Sequence, residues 1–172
     1  MKIILLGYMA SGKSTIGKEL ASKLNLKFID LDDYIETQLG KTVPVIFETE
    51  GEIFFRLKEH EYLKKLLESD ESFILSLGGG TPCYANNMNL INSFTNNVSS
   101  FYIKVSITTI CERLYKEKEQ RPLVAKISNE ELPEFIAKHL FERSYFYEQA
   151  SIKIKADDKS SEEIVNEIKS LL

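Results

Sequence analysis

The chain has 172 residues, enough for one domain that buries roughly two-thirds of the surface its unfolded form exposes and needs no disulfide framework. With 43% hydrophobic and 28% charged residues it is neither disordered nor fibrous. Its 22 Lys and Arg against 26 Asp and Glu, a net charge of −4 with no long single-sign block, argue against a non-specific nucleic-acid binder.

In chain order, Ile3-Ile4-Leu5-Leu6 is a continuous apolar run of strand length that ends at Gly7. After a glycine-rich turn, Ile16, Leu20 and Leu24 repeat at helical spacing. Lys27-Phe28-Ile29 is a second, weaker strand. Residues 33–39 and 42–48 read as short helices, the second with Pro44 in its first turn, and a longer helix covers about 51–68. Phe73–Leu77 is a buried strand closed by Gly78-Gly79-Gly80 and Pro82. Ser100–Val105 is another, leading into a helix with Ile107, Ile110 and Leu114 on one side. A polar run from Lys116 to Pro122 interrupts that helix. A helix near 131–149, a strand at Ser151–Ile154 and a last helix with Ile164, Val165 and Ile168 follow. Continuous apolar strands alternating with helices predict an α/β fold with a parallel sheet covered on both faces. No apolar run approaches a membrane span, and Met1–Gly7 is too short for a signal-peptide core. Cys83 and Cys111 suit a reducing compartment, so a cytoplasmic protein is expected, with packing roles for both thiols.

The glycine-rich turn carries the strongest signal. Gly7-Tyr8-Met9-Ala10-Ser11-Gly12-Lys13-Ser14, followed by Thr15, fits G-x-x-x-x-G-K-[ST] and lies between a buried strand and a helix start. Glycines let the backbone curl so that successive N–H groups converge on phosphate oxygens, and the positive end of the helix adds to the attraction. Lys13 is expected to bridge the β- and γ-phosphates, and the Ser14 hydroxyl to ligate Mg²⁺.

A phosphate loop says nucleotide without saying kinase, and the acceptor side must decide. Asp30-Leu31-Asp32-Asp33 sits at the carboxyl edge of the sheet, where carboxylates organise Mg²⁺ or accept a hydroxyl proton; a plain helix cap from Asp32 or Asp33 is the alternative. Arg56 shares a helical stripe with Leu63 and Leu67, one turn from Glu59. Arg143 shares one with Ile136, Leu140 and Tyr147 and has no comparable local partner. An arginine in an apolar stripe is costly unless it meets a carboxylate, a phosphate or an anionic ligand. Snorkelling or internal pairing remains open for each. Arg121 lies in a charged stretch, about 116–130, with the marks of a closing flap, or of a solvated loop. Gly78-Gly79-Gly80 either admits a ligand close to the backbone or makes a structural turn. Ser76 stands where many P-loop proteins carry an aspartate. His60 and His139 share no ligand spacing and read as ordinary helix residues.

Taken in order, residues 7–15, Phe28-Ile29-Asp30-Leu31-Asp32, Ile46-Phe47, Glu50–Arg56, Leu75–Gly80, Arg121-Pro122-Leu123 and Glu142-Arg143 resemble the shikimate kinases, of the nucleoside-monophosphate-kinase-like group of P-loop proteins. The resemblance spans about residues 3–148. It implies a three-layer α/β/α fold with a five-stranded parallel sheet in the order 2-3-1-4-5, one domain over 1–172, a substrate-binding region near 31–60 and a lid near 112–124. It implies transfer of the γ-phosphoryl of ATP to the 3-hydroxyl of shikimate, on the route to chorismate and the aromatic amino acids. By matching position, Ala10, Ser11, Gly12, Lys13, Ser14 and Thr15 hold the nucleotide, and Ser14 with Asp30 serves Mg²⁺, helped by Ser76. Asp32 holds the shikimate hydroxyls and acts as base or orienter. Arg56, Arg143 and the backbone of Gly78, Gly79 and Gly80 bind shikimate, Phe47 and Phe55 wall its ring, and Arg121 closes over ATP. The departure is late: the Thr/Asn adenine loop usual in the family reads Lys155-Ala156-Asp157-Asp158 here. Two other readings are another small-metabolite kinase, such as a gluconate kinase, which need not place two arginines for a ring carboxylate, and a nucleotide-switch NTPase, which gives no reason for them. With no apolar stripe demanding a partner, a monomer is expected.

Overall fold

The computed structural model describes residues 1–117 and 123–172, the Glu117 side chain excepted. The strands are β1 (Lys2–Leu6), β2 (Lys27–Asp30), β3 (Phe73–Ser76), β4 (Val98–Lys104) and β5 (Ile152–Lys155). They form one sheet in the order β2-β3-β1-β4-β5, every pairing parallel, as expected. The helices are α1 (Lys13–Leu24), α2 (Leu31–Leu39), α3 (Val43–Thr49), α4 (Gly51–Glu68), α5 (Asn87–Ser93), α6 (Ile107–Glu117), α7 (Leu132–Tyr147) and α8 (Ser161–Ser170). Parallel neighbours need crossover connections, and helices supply them on both faces of the sheet.

Strand β1 lies at the middle of the sheet, and Ile3 to Leu6 are fully buried without alternation, because helices cover both sides. Lys2 is buried in the same strand. Its ammonium donates to Leu67 O at 2.7 Å and to Ser69 O. These carbonyls sit at the end of α4, where the helix has no partners of its own to offer, so a buried cation caps a helix from the neighbouring layer.

Four features depart from the pattern expected along the chain. Helix α2 begins at Leu31, directly after β2, and its capping carboxylate is Asp30, which accepts from Asp32 N at 3.2 Å. The plain capping role therefore falls to Asp30, leaving the Asp32 carboxylate available. Helix α5 and a short 3₁₀ turn at Thr81–Cys83 were not expected. Residues 87–93 are rich in asparagine, a poor helix former, and the helix is held by burial of Asn87, Met88 and Ile91. Strand β4 starts two residues early, at Val98, because it pairs with Lys2 at the start of β1.

Lys2→Met keeps most of the side-chain bulk and removes the donor. It is expected to lower stability by about 1–3 kcal/mol, the cost of leaving buried carbonyls unsatisfied. A shift of the urea unfolding midpoint at unchanged slope measures it.

Candidate active site

The end of β1 turns into the phosphate loop at Gly7, whose φ of 149° puts its α-carbon against the neighbouring strand; a Cβ there would lie 2.7 Å from Ile103 O. Gly12 adopts φ 94° at the N-cap of α1, and no acidic side chain occupies the first turn of that helix. The positive helix end thus carries no acid of its own and borders the cavity, as suits an anion site. Lys13 Nζ curls over the loop, donating to Gly7 O and Tyr8 O at 2.9 Å each.

Beside the loop lies a cavity of about 600 Å³, lined on one side by residues 9–16 and on the other by Asp30, Asp32 and Ser76–Gly79. The Ser14 hydroxyl donates to Asp30 Oδ2 at 3.1 Å, and Ser76 is the register partner of Asp30 across β2 and β3. Hydroxyl and carboxylate oxygens gathered next to a phosphate-binding loop fit Mg²⁺, a hard cation that prefers oxygen ligands.

Asp32 is the most perturbed carboxyl of the cavity. Burial pushes its pKa up to about 7, and the nearby charges of Asp30 and Glu59 push in the same direction, against the pull of Arg56 and Lys13. A Cβ on Gly78 would lie 3.1 Å from Asp32 Oδ1. The next two glycines meet the two arginines. A Cβ on Gly79 would lie 3.9 Å from Arg143 Nη1, and one on Gly80 only 2.8 Å from Arg56 Nη2. The glycine run is therefore a close-approach surface along which one carboxylate and two guanidiniums are ranged.

Each guanidinium has its own support. Arg56 Nη1 donates to Glu59 Oε2 at 2.9 Å, and Glu59, 1% exposed, takes the Thr81 hydroxyl on its other oxygen at 2.6 Å. Asn87 donates to Thr81 O at 2.8 Å and meets His60 Nδ1 at 2.7 Å, so the network runs from Arg56 into α5. For Arg143 the polar neighbour is Tyr147, one turn on in the same helix; among the described residues no carboxylate forms an ion pair with it. The Tyr147 hydroxyl donates to Gly79 O at 2.6 Å, and the Tyr8 hydroxyl meets His139 Nδ1 at 2.8 Å. These contacts fasten α7 to both the glycine run and the phosphate loop. Both histidines thus serve packing networks, and burial, followed by the charge of Arg143, keeps the His139 pKa below its ordinary value.

Not every residue singled out from the sequence lines the cavity. Arg56, Arg143 and Gly80 are not among the residues that line it. Phe55 is a core residue and Phe47 stacks on it at a ring separation of 4.8 Å, at the surface edge. Arg121 and part of the 112–124 segment lie outside the described residues. The cavity also contains residues that the sequence did not single out: Arg113, Lys159 and Ser161. Arg113 Nη1 donates to Ala10 O of the phosphate loop at 2.9 Å. Its position three residues after Ile110, on the helix leading to the charged stretch, was the available signal. The divergent 155–158 loop has a structural task as well. Asp157 accepts from Ser106 N at 3.0 and 3.2 Å and from the Thr109 hydroxyl at 2.8 Å, holding the start of α6.

The shikimate kinase family model matches residues 9–172. A curated shikimate kinase of Flavobacterium psychrophilum is 52% identical over 171 residues, 99% of this chain and 98% of that protein. Among solved structures, the shikimate kinase of Bacteroides thetaiotaomicron superposes with a TM-score of 0.90 at 36% identity, covering 99% of this chain and 97% of the other. The shikimate kinase from Acinetobacter baumannii in complex with shikimate superposes with a TM-score of 0.84 at 30% identity, covering 99% and 91%.

Removing Glu59 strands a largely buried guanidinium and the Thr81 hydroxyl together. Glu59→Ala is expected to destabilise the fold by about 3 kcal/mol, and Glu59→Gln by clearly less because the amide oxygen still accepts from Arg56 while the NH2 group can donate to the Thr81 hydroxyl oxygen. Chemical denaturation of the two variants side by side provides the comparison.

Proposed function

This chain belongs to the shikimate kinase family, and on that premise we propose that its cavity and glycine run hold ATP and shikimate with the acceptor hydroxyl in line with the γ-phosphate. The protein is an enzyme, a phosphotransferase that phosphorylates shikimate at the expense of ATP, in aromatic amino acid biosynthesis. The two-arginine surface has no counterpart requirement in a gluconate kinase or a nucleotide switch.

The loop residues Ala10, Ser11, Gly12, Ser14 and Thr15 present N–H groups and hydroxyls to the phosphates, and Lys13 leaves its carbonyl partners to bridge the β- and γ-phosphoryl oxygens. Ser14 and Asp30 would hold Mg²⁺. When bound, the ion neutralises charge on the β- and γ-phosphoryl oxygens. Asp32 receives the shikimate hydroxyls and orients the 3-hydroxyl, taking its proton as the phosphoryl group transfers. Arg56 and Arg143, with the backbone of Gly78, Gly79 and Gly80, clamp the shikimate carboxylate and ring, with Phe47 and Phe55 forming the hydrophobic wall. Arg121 closes over the nucleotide from the lid near 112–124, and the substrate-binding region spans about 31–60, both parts of one domain over 1–172. The chemistry asked of the protein is placement of the two reactants and compensation of spreading charge. The protein acts as a cytoplasmic monomer without nucleic-acid or membrane partners. Among the described residues no helix is long and apolar enough to cross a membrane.

The observation that carries the reading is the convergence of both guanidiniums on the backbone of Gly79 and Gly80, next to Asp32. A small anion with hydroxyls fits that charge pattern, and the phosphate loop stands across the cavity from it.

Arg143→Ala is expected to raise the KM for shikimate about tenfold to a hundredfold, as loss of a charge-assisted contact does, with the KM for ATP nearly unchanged. Steady-state kinetics with each substrate varied reads both values, and equal losses for the two substrates would reject the assignment. Lys13→Met is expected to lower kcat by at least about a hundredfold while the far-ultraviolet circular dichroism spectrum is retained. Near-normal turnover of that variant would refute the role of Lys13.

A further inference from the structure

Arg56 must offer a donor edge to its ligand while standing in a largely buried setting, its side chain 18% exposed. Its in-plane fixation is incomplete. One strong contact reaches Glu59, at 2.9 Å from Nη1. The contacts from Nε and Nη2 to Glu52 are long, 3.4 and 3.5 Å, and Glu52 is exposed. A guanidinium held by one short hydrogen bond can still tilt about it. What limits the tilt is a ring face: Arg56 Cζ lies 4.1 Å from the centroid of Tyr84, and 5.3 Å from that of Phe55. Tyr84 is the residue that ends the 3₁₀ turn after the glycine run. It is 38% exposed, and among the described residues its hydroxyl makes no hydrogen bond that would explain its position.

We infer that Tyr84 is a positioning residue for the shikimate site, stacking on the guanidinium of Arg56 so that its donor edge is held along Gly80 towards the substrate. A face-on contact is suited to this task because it uses none of the N–H groups that the ligand needs. It also replaces water over the cation, which strengthens whatever charge-assisted bond the edge then makes. The backbone accommodates the stack because Gly80 has no Cβ; a methyl there would be 2.8 Å from Nη2 and would push the guanidinium out of the plane of the contact. Tyr84 is thus placed to act on shikimate affinity without touching the nucleotide loop. The inference rests on the reading of Arg56 as a shikimate-binding residue, and the variants below separate the two.

The test is steady-state kinetics on the full-length enzyme carrying Tyr84→Ala, Tyr84→Leu, Tyr84→Phe or Arg56→Ala, with shikimate and ATP varied in turn. Tyr84→Ala and Tyr84→Leu are expected to raise the shikimate KM about five- to tenfold, in the range of a partly desolvated cation–π contact, with kcat and the KM for ATP within about twofold of the parent. Tyr84→Phe, which keeps the ring face, is expected to behave as the parent, and Arg56→Ala to exceed both losses. A parental shikimate KM in Tyr84→Leu would show that bulk alone suffices and overturn the stacking role. So would a loss in Tyr84→Phe equal to that in Tyr84→Ala, or a fall in kcat with KM unchanged. If Arg56→Ala raises the KM while Tyr84→Ala does not, the inference fails and the reading of Arg56 stands. If Arg56→Ala leaves the shikimate KM unchanged, the reading of Arg56 itself falls. Urea unfolding midpoints of the four variants identify any change that comes from the fold instead of the site.

Discussion

Backbone without side chains, at the exit of a buried strand, is the constraint on which the site depends. Strand β3 leaves the sheet towards Gly78, Gly79 and Gly80; a Cβ would press on Asp32 at Gly78 and collide with Arg56 at Gly80, and Arg143 lies within van der Waals reach of one at Gly79. Asp32 comes from α2, Arg56 from α4 and Arg143 from α7, so three helices are drawn to one short stretch of chain. Alanine at position 80 would meet the Arg56 guanidinium at 2.8 Å, which real Cβ contacts do not tolerate, and the cluster would have to spread.

Sheet order then brings this cluster opposite the nucleotide loop. Strands β1 and β3 are parallel neighbours, so the turns that follow them open on the same edge. One turn wraps the N-terminus of α1, and the other runs beside the Asp32 carboxyl and the guanidiniums of Arg56 and Arg143. In the proposed reading two reactants of like charge would meet there, each held by its own cationic groups, as phosphoryl transfer to an acidic metabolite requires. The cross-links Tyr8–His139 and Tyr147–Gly79 tie α7 to both turns, so the placement of Arg143 is coupled to the position of the loop itself.

Burying these charges is expensive, and for Arg56 the structure meets the cost with a buried carboxylate that is itself fully hydrogen-bonded. Both Glu59 oxygens are used, one by Arg56 and one by Thr81, and the chain of hydrogen bonds continues through Asn87 to His60. Asp32 is the exception. Low solvation and two neighbouring acids raise its pKa to about 7, so it is held in an environment that disfavours its own charge. Such tension is common where a carboxyl must exchange a proton at neutral pH.

Much of this was legible along the chain because it depends on local order. The phosphate loop is contiguous, apolar runs that need cover on both faces announce parallel strands, and Glu59 lies one helical turn from Arg56, within reach whatever the rest of the fold does. Other features depend on residues far apart in sequence, and no local pattern encodes them. Helix α5 forms in a segment of poor helix formers because its apolar residues find the core, Lys2 caps a helix 65 residues away, and Asp157 secures the start of α6 across 51 residues. Arg113 belongs to the cavity only because α6 crosses the phosphate loop. The sequence by itself determined which groups are available and which elements carry them, since spacing within a helix or turn sets local geometry. Only the tertiary structure decided which of those groups share a volume, because distances between elements follow from how the core packs.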